Sequence, residues 1–546
     1  MSDKTVLGNS AVMAAGTIMS RFSGYFRSIL LAAALGNGLH ADVFTISNTI
    51  PNMLYILLAG GIFNAVLVPQ LVRAMKNEPD RGEAYTNRII TLAALFLAAV
   101  TALLVIFAPL VMSVYLDGSW ASQDHMAQRE SVIDFARYCL PQVFFYGMFV
   151  LVGQILNARG TFGPMMWAPI ANNLVSMAVL VAYLVGFGAN ASGGYSPGEE
   201  LLLGLGSTAG IALQFFILVP YLRAAGFTYR PRFDFRGTGL GHTLRLGMWT
   251  VLFVIVNQVA YTVVVRLASS GTTGTGDGTG YTIYSSAFLI IMVPHAIVTV
   301  SLATAILPTL SASAAENRLD DLAASLGSTL RTTLALIIPF ALLLPMLARE
   351  VANLVWGYGA AAATVANYVP SLALFAPGLL FFTVHYLMLR GFYALEQTRT
   401  VFWIQCVIAV FNVGLGILLV STTDAAFTSP ALVLAYAGAY AVGACLSYLM
   451  LRHRLGTLHT RELLRFGGRT LLAAAIAAAL ALATWWGLNE WSGDADPSKL
   501  RSLLMLAAIA SVHGIVFVVL ARAMHIHEVT DLIRHATRRL PMPRRG

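Results

Sequence analysis

Two arginines, Arg21 and Arg27, lie in SRFSGYFRSILLAAALG (20–36), a stretch otherwise apolar enough to be buried in lipid, and Asp42 opens the next such stretch. A charge held at the bilayer centre costs roughly 3 kcal/mol or more, so one that persists there faces a cavity or a polar partner. At about 100° per residue, Ser20, Gly24 and Arg27 share one helical face and Arg21 lies about 120° round from Arg27, which makes one broad side of the helix cationic. The functional reading is that this cationic side faces a cavity or a polar partner. The competing reading is snorkelling, in which each side chain lifts its charge to the headgroups. Arg27 lies far from either end of its apolar run.

Other polar residues are more scattered. Asn48, Asn52, Asn172, Asn173, Asn257 and Gln258 can line a cavity, and interhelical hydrogen bonding accounts for them equally well. His242, His295, His385 and His513 stand singly without metal-ligand spacing; His385, near Arg390 in one apolar run, is the best candidate for a substrate contact. Arg266, in VVVRLA, either adds charge to a cavity from the second half of the chain or sits at the outer interface beside the run GTTGTGDGTG (271–280). That run lacks a lysine at a helix start and reads as a flexible linker, not a phosphate loop. Cys139, Cys406 and Cys445 fall in apolar runs and read as small buried hydrophobes. No catalytic constellation stands out, so an enzyme is not expected, nor a cofactor or metal.

The elements that must position these residues are membrane helices. Of the 546 residues, 58% are hydrophobic and 11% charged, and the mean hydropathy is +0.73, which places the chain outside the soluble class. Windows of about 20 apolar residues, the length that crosses a hydrocarbon core, predict an all-α polytopic protein. They fall at 7–36, 41–72, 88–116, 132–157, 165–187, 200–223, 245–269, 281–311, 328–348, 362–393, 398–421, 429–451, 469–488 and 501–523, fourteen in all. The first run exceeds signal-peptide length, so it is expected to stay as a membrane helix.

Basic residues test the count, because they gather on the cytoplasmic side of short loops. With the N-terminus inside, 26 of the 34 basic residues fall in cytoplasmic segments, and the opposite loops hold only Arg129, Arg349, Lys499 and Arg501. One helix more or fewer would invert every later loop. Both termini are therefore expected in the cytoplasm. The net charge of +9 is mostly this topological arginine and gives no sign of nucleic-acid binding. The tail 525–546 spaces Ile526, Val529, Ile533, Ala536 and Leu540 helically among basic residues, as expected of an amphipathic helix on an anionic leaflet.

A repeat is also present. IPNMLYILLAGGIFNAVLVPQLV (50–72) resembles VPHAIVTVSLATAILPTLS (293–311), and FFYGMFVLVGQILNARGTFGP (144–164) parallels FFTVHYLMLRGFYALEQTRTV (381–401), at offsets of 239 and 236 residues. The agreement predicts two parallel six-helix lobes with pseudo-two-fold symmetry, 1–224 and 225–455, followed by two appended helices in 456–524 and the basic tail 525–546. Such lobes suit rocking between inward-open and outward-open states.

GTIMSRFSGYFRSILLAAALG (16–36), ADVF (41–44), IPN (50–52), QILNARGTFG (154–163), LATAILPTLS (302–311) and RGFYALEQTRT (390–400) resemble the MurJ/MviN family of lipid II flippases, within the multidrug/oligosaccharidyl-lipid/polysaccharide exporter superfamily. The resemblance implies a flippase for the lipid-linked peptidoglycan precursor in the bacterial plasma membrane, with membrane lipids and cell-wall synthesis or division proteins as neighbours. It implies that Arg21 and Arg27 match the family's basic pair and Asp42 its acidic residue. The chain departs from the family at Tyr55-Ile56 and at Phe288-Leu289, where arginines are usual, and at Gly60, where a glutamate is; these departures resemble its actinobacterial branch. Two other readings stay open: a cation-coupled drug or polysaccharide-lipid exporter, and a non-transporting scaffold for cell-wall synthesis.

Overall fold

The computed structural model of the chain describes residues 3–57, 71, 74, 79, 80, 82–190, 194–234, 240–274, 278–492 and 498–538. The second half of the expected second helix, with Gly60 and Pro69, lies outside these residues, as do 275–277 in the glycine-rich run and Leu540 in the tail. Among the described residues every regular element is helical.

The chain opens with α1 (Asp3–Leu35), α2 (Leu39–Ile56), α3 (Glu83–Ile106) and the short α4 (Ala108–Tyr115). It continues through α5 (Met126–Cys139), α6 (Gln142–Ala158), α7 (Gly163–Gly186), α8 (Pro197–Phe216), α9 (Leu218–Ala224) and α10 (Leu240–Ser269). Next come α11 (Tyr281–Pro294), a π-helical turn over His295–Val300 and α12 (Ser301–Ala315), which form one broken span. The last are α13 (Leu319–Trp356), α14 (Tyr368–Ala394), α15 (Thr398–Thr422), α16 (Thr428–Leu455), α17 (Thr460–Ser492), α18 (Lys499–Ala523) and α19 (His527–Arg538).

Twelve helical segments among the described residues are long and apolar enough to cross a membrane, from Glu83–Ile106 to Lys499–Ala523. They overlap the last twelve of the fourteen expected windows. The first two windows correspond to α1, which carries Arg21 and Arg27, and to α2, which is described only in part.

Two compact units divide the chain. The first contains 1–282 together with 358–364 and 424–428. Within it α1 packs along α7 and α7 along α8. Small residues let α8 approach its neighbours: a Cβ on Gly206 would lie 2.5 Å from Val179 of α7, and one on Gly204 2.6 Å from Tyr138 of α5. On α3 the side chains of Asn87 and Thr91 accept the backbone N–H groups of Arg230 and Arg232, and Arg88 pairs with Asp234 at 2.7 Å. This ties the 227–234 segment to α3, and the Arg88 bond holds the exposed Asp234 carboxyl below its ordinary range. The second unit contains 283–357, 365–423 and 429–546. Here α13 packs against α14, α17 and α18, and Leu347, Ala481, Met505 and Ile509 form a buried cluster between them. Lys499 donates to the carbonyls of Asn353 and Gly357, satisfying the C-terminal end of α13. In the tail Ile526 and Val529 are buried, and Glu528 bonds Arg331 at 2.9 Å.

Candidate functional site

Arg21 is exposed and Arg27 half-buried on α1. Asn173 of α7 donates to the Ser20 carbonyl at 3.0 Å and to the Ser23 hydroxyl at 2.8 Å, so a helix carrying charge is fixed to its neighbour by its small polar residues. The Arg27 guanidinium lies within electrostatic reach of the Tyr146 phenol, and Tyr146 packs on Tyr55 with ring centroids 4.7 Å apart. Tyr55, where the family resemblance leads one to expect an arginine, thus supplies an aromatic wall near the cation. Among the described residues neither Arg21 nor Arg27 forms an ion pair with a carboxylate.

Asp42 is different in kind. It is fully buried, and its carboxylate accepts the backbone N–H of Thr282 at 2.7 Å, the N–H of Tyr281 at 3.1 Å and the Thr272 hydroxyl at 3.0 Å. The N–H groups at the start of a helix have no partner within it, and the helix dipole favours an anion there. Asp42 therefore caps α11 from a position more than two hundred residues away in sequence. A Cβ on Gly280 would lie 2.0 Å from the Asp42 Oδ2, so the approach needs glycine. One and two turns further along α2, Thr45 accepts from the Thr282 hydroxyl at 3.2 Å and Thr49 donates to the Tyr281 hydroxyl at 2.9 Å. Asn52 continues this stripe and is exposed.

Further segments gather beside it. Asn37 is buried and exchanges two hydrogen bonds with Thr364, donating to its carbonyl at 3.0 Å and accepting from its hydroxyl at 2.7 Å. Gly359, at φ +51°, sits where a Cβ would lie 2.2 Å from the Ala33 carbonyl oxygen. Thr279 donates from its N–H to Ala425 at 3.1 Å and from its hydroxyl to Ala426 at 3.0 Å. Residues 33–49 are thus bound to 272–282 and 358–364, and 279 to 425–426.

The remaining candidates have other partners. Arg266 donates to the carbonyls of Ser113 and Val114 at 2.7 and 3.2 Å, closing the C-terminal end of α4. His385, in the second unit, is buried, 3.2 Å from the Ser447 hydroxyl, with Tyr440 beside its ring. In the same unit Arg390 stacks on Tyr386, 4.3 Å from the ring centroid, and donates to its hydroxyl. Sequence reasoning missed Thr45, Thr49, Tyr55, Tyr146, Thr272, Tyr281 and Thr282. The 3-4-3 spacing of Asp42, Thr45, Thr49 and Asn52 was the available signal.

Residues 31–497 match the profile of a protein family described as "Lipid II flippase MurJ". A probable lipid II flippase MurJ of Haemophilus influenzae is 25% identical over 529 residues, covering 93% of this chain and 99% of that protein. The lipid II flippase MurJ of Burkholderia cenocepacia is 26% identical over 518 residues, covering 92% and 94%. A solved structure titled "Lipid II flippase MurJ, inward closed conformation" superposes with a TM-score of 0.73 at 18% identity, covering 94% of this chain and 99% of that one. An inward-facing multidrug resistance MATE transporter superposes at 0.63 and 16% identity, covering 82% and 99%, and shares the fold. The profile covers most of the chain, and its many apolar helices are those of a multi-pass membrane protein: the chain belongs to the MurJ family.

Proposed function

We propose that this protein carries lipid II, the undecaprenyl-diphosphate-linked disaccharide-peptide, from the inner to the outer leaflet of the bacterial plasma membrane by alternating access. The observation that carries the reading is the face of α1, where Arg21 and Arg27 have no carboxylate partner among the described residues. A diphosphate accepts bidentate, charge-assisted bonds from such groups. In this reading the protein acts as a transporter and not as an enzyme, in keeping with its family.

In this reading α1 and α2 complete a set of fourteen spans, both termini are cytoplasmic, and 1–224 and 225–455 form the two rocking lobes. The hydrogen bonds joining residues 33–49 to 272–282 and 358–364 act as an outer clasp that opens when cargo is released. A cation-coupled exporter would need a carboxylate open to its cation; Asp42 already accepts three hydrogen bonds. The test is a strain depleted of its own lipid II flippase. The native chain should restore growth, Arg27→Ala should not although present in the membrane, and Arg27→Lys should restore it in part. Full rescue by Arg27→Ala removes diphosphate binding at Arg27 from the account.

A further inference from the structure

Beside the Arg27 guanidinium the first unit carries a strip of amides and aromatic rings. On α2, Asn48, Asn52 and Tyr55 follow one another at intervals of four and three residues and share one face, within about 60° of arc. On α6, Gln142 and Tyr146 stand one turn apart. The two helices meet through like pairs. Gln142 is buried and donates to the side-chain carbonyl of Asn48 at 2.9 Å, while the rings of Tyr55 and Tyr146 pack with centroids 4.7 Å apart and planes tilted by 36°. Arg27 of α1 acts electrostatically on the Tyr146 phenol, so the cation and the ring pair adjoin.

The strip is anchored from behind and open in front. A Cβ on Gly147 would lie 2.4 Å from Leu97, so α6 presses against α3 through the residue next to Tyr146. Tyr55 and Tyr146 remain half-buried, whereas Tyr183, a core tyrosine of the same unit, is fully buried. Asn52, between Asn48 and Tyr55 on the shared face, is exposed, and its amide has no partner among the described residues. An amide turned to hydrocarbon without a hydrogen bond is costly, so this edge borders water or a polar ligand. Rings with a few placed polar groups at their edge are the make-up of a small-molecule site. A hydrocarbon tail would leave the amide unsatisfied, and a second anion would need a cation where Tyr55 stands. A sugar ring suits both parts, stacking its C–H face on a tyrosine and bonding the amide through its hydroxyls.

We propose that Tyr55 and Tyr146, with the Asn52 amide at their edge, form a platform for the sugar ring bonded directly to the diphosphate, an inference that rests on diphosphate binding at Arg27. The guanidinium holds the charge that every lipid diphosphate carries, and the platform reads whether a sugar is attached to it. A carrier that has lost its sugar keeps only the charge contact and is held less tightly, so it competes poorly with cargo. Specificity here is a difference between two affinities, and the rings supply the part that the bare carrier cannot use.

The test measures dissociation constants of the full-length protein in nanodiscs of neutral phospholipid for two probes that share tail and diphosphate: undecaprenyl diphosphate, and the same lipid bearing a single N-acetylhexosamine. The native protein should prefer the glycosylated probe by at least tenfold, about 1.4 kcal/mol. Tyr55→Leu and Tyr146→Leu should each bring that preference to within twofold while leaving affinity for the bare probe nearly unchanged, and Tyr55→Phe, which keeps the ring, should retain it. Asn52→Ala should lower the preference about threefold; an unmoved preference there removes the amide from the platform. Equal binding of both probes by the native protein overturns the proposal, as does full preference in both leucine variants. Equal weakening of both probes in those variants assigns the rings to packing and overturns it too. Arg27→Ala should weaken both probes alike. A native protein that binds neither probe, or an Arg27→Ala protein that binds both as before, refutes diphosphate capture at Arg27 and the platform with it, whereas equal binding of the two probes removes the platform alone.

Discussion

Asp42 and the two arginines are all charged residues in apolar surroundings, yet they solve the cost of burial in opposite ways. Asp42 is hydrogen-bonded locally by the N–H groups of Tyr281 and Thr282 and the hydroxyl of Thr272, whereas in the proposed cycle Arg21 and Arg27 keep their charge for a partner that comes and goes. Asp42→Asn should therefore act as a loss of structure: its amide retains one acceptor and sets an NH2 against an N–H, at a cost of roughly 2–4 kcal/mol to the clasp. Hydrogen exchange at the start of α11 is expected to quicken in that variant. Arg266→Ala separates a cap from a cavity charge. Its loss from the Ser113 and Val114 carbonyls should lower thermal stability by about 1 kcal/mol and leave transport nearly unchanged. A transport defect as deep as that of Arg27→Ala would restore Arg266 to the binding surface.

At the scale of the elements, what was legible in the sequence was what depends on local physics. Runs of apolar residues long enough for a bilayer located twelve helices able to cross it among the described residues, and Arg21, Arg27 and Asp42 were conspicuous because charge is rare in such runs. The partners of those residues were not legible, because Asp42 meets Thr272, Tyr281 and Thr282 across some 230 to 240 positions and no local pattern records that distance. Tyr55 and Tyr146 were hidden for another reason: in an apolar run an aromatic residue reads as core, and their pairing near Arg27 is a tertiary fact. The same loops carry a topological expectation. Cysteines placed at Gly194 and Gly274 should react with an impermeant thiol reagent from outside the cell, and one at Arg232 should not. Labelling at position 232 in intact cells would invert the orientation.

For the whole molecule, the sign of the charge sets the energetics of transport. A diphosphate with about two negative charges leaving a cell that is negative inside gains roughly 2.3 kcal/mol per charge per 100 mV if it crosses the full field. In the proposed cycle the cationic face of α1 would be drawn inward by that same field once emptied. Dissipating the voltage with an ionophore that spares the pH gradient should stop flipping with cargo still present; continued flipping would exclude voltage and leave an ion gradient as the driving term.

The most direct measurement follows the cargo itself. In cells depleted of their own flippase and supplied with this chain, outer-leaflet exposure of the lipid-linked precursor is quantified by its susceptibility to an externally added enzyme that cleaves the diphosphate link. The native chain should restore exposure, and Arg27→Ala, at equal membrane abundance, should leave it at the depleted level. Exposure restored equally by Arg27→Ala, or not restored by the native chain, would contradict the claim that this protein moves lipid II by holding its diphosphate on α1.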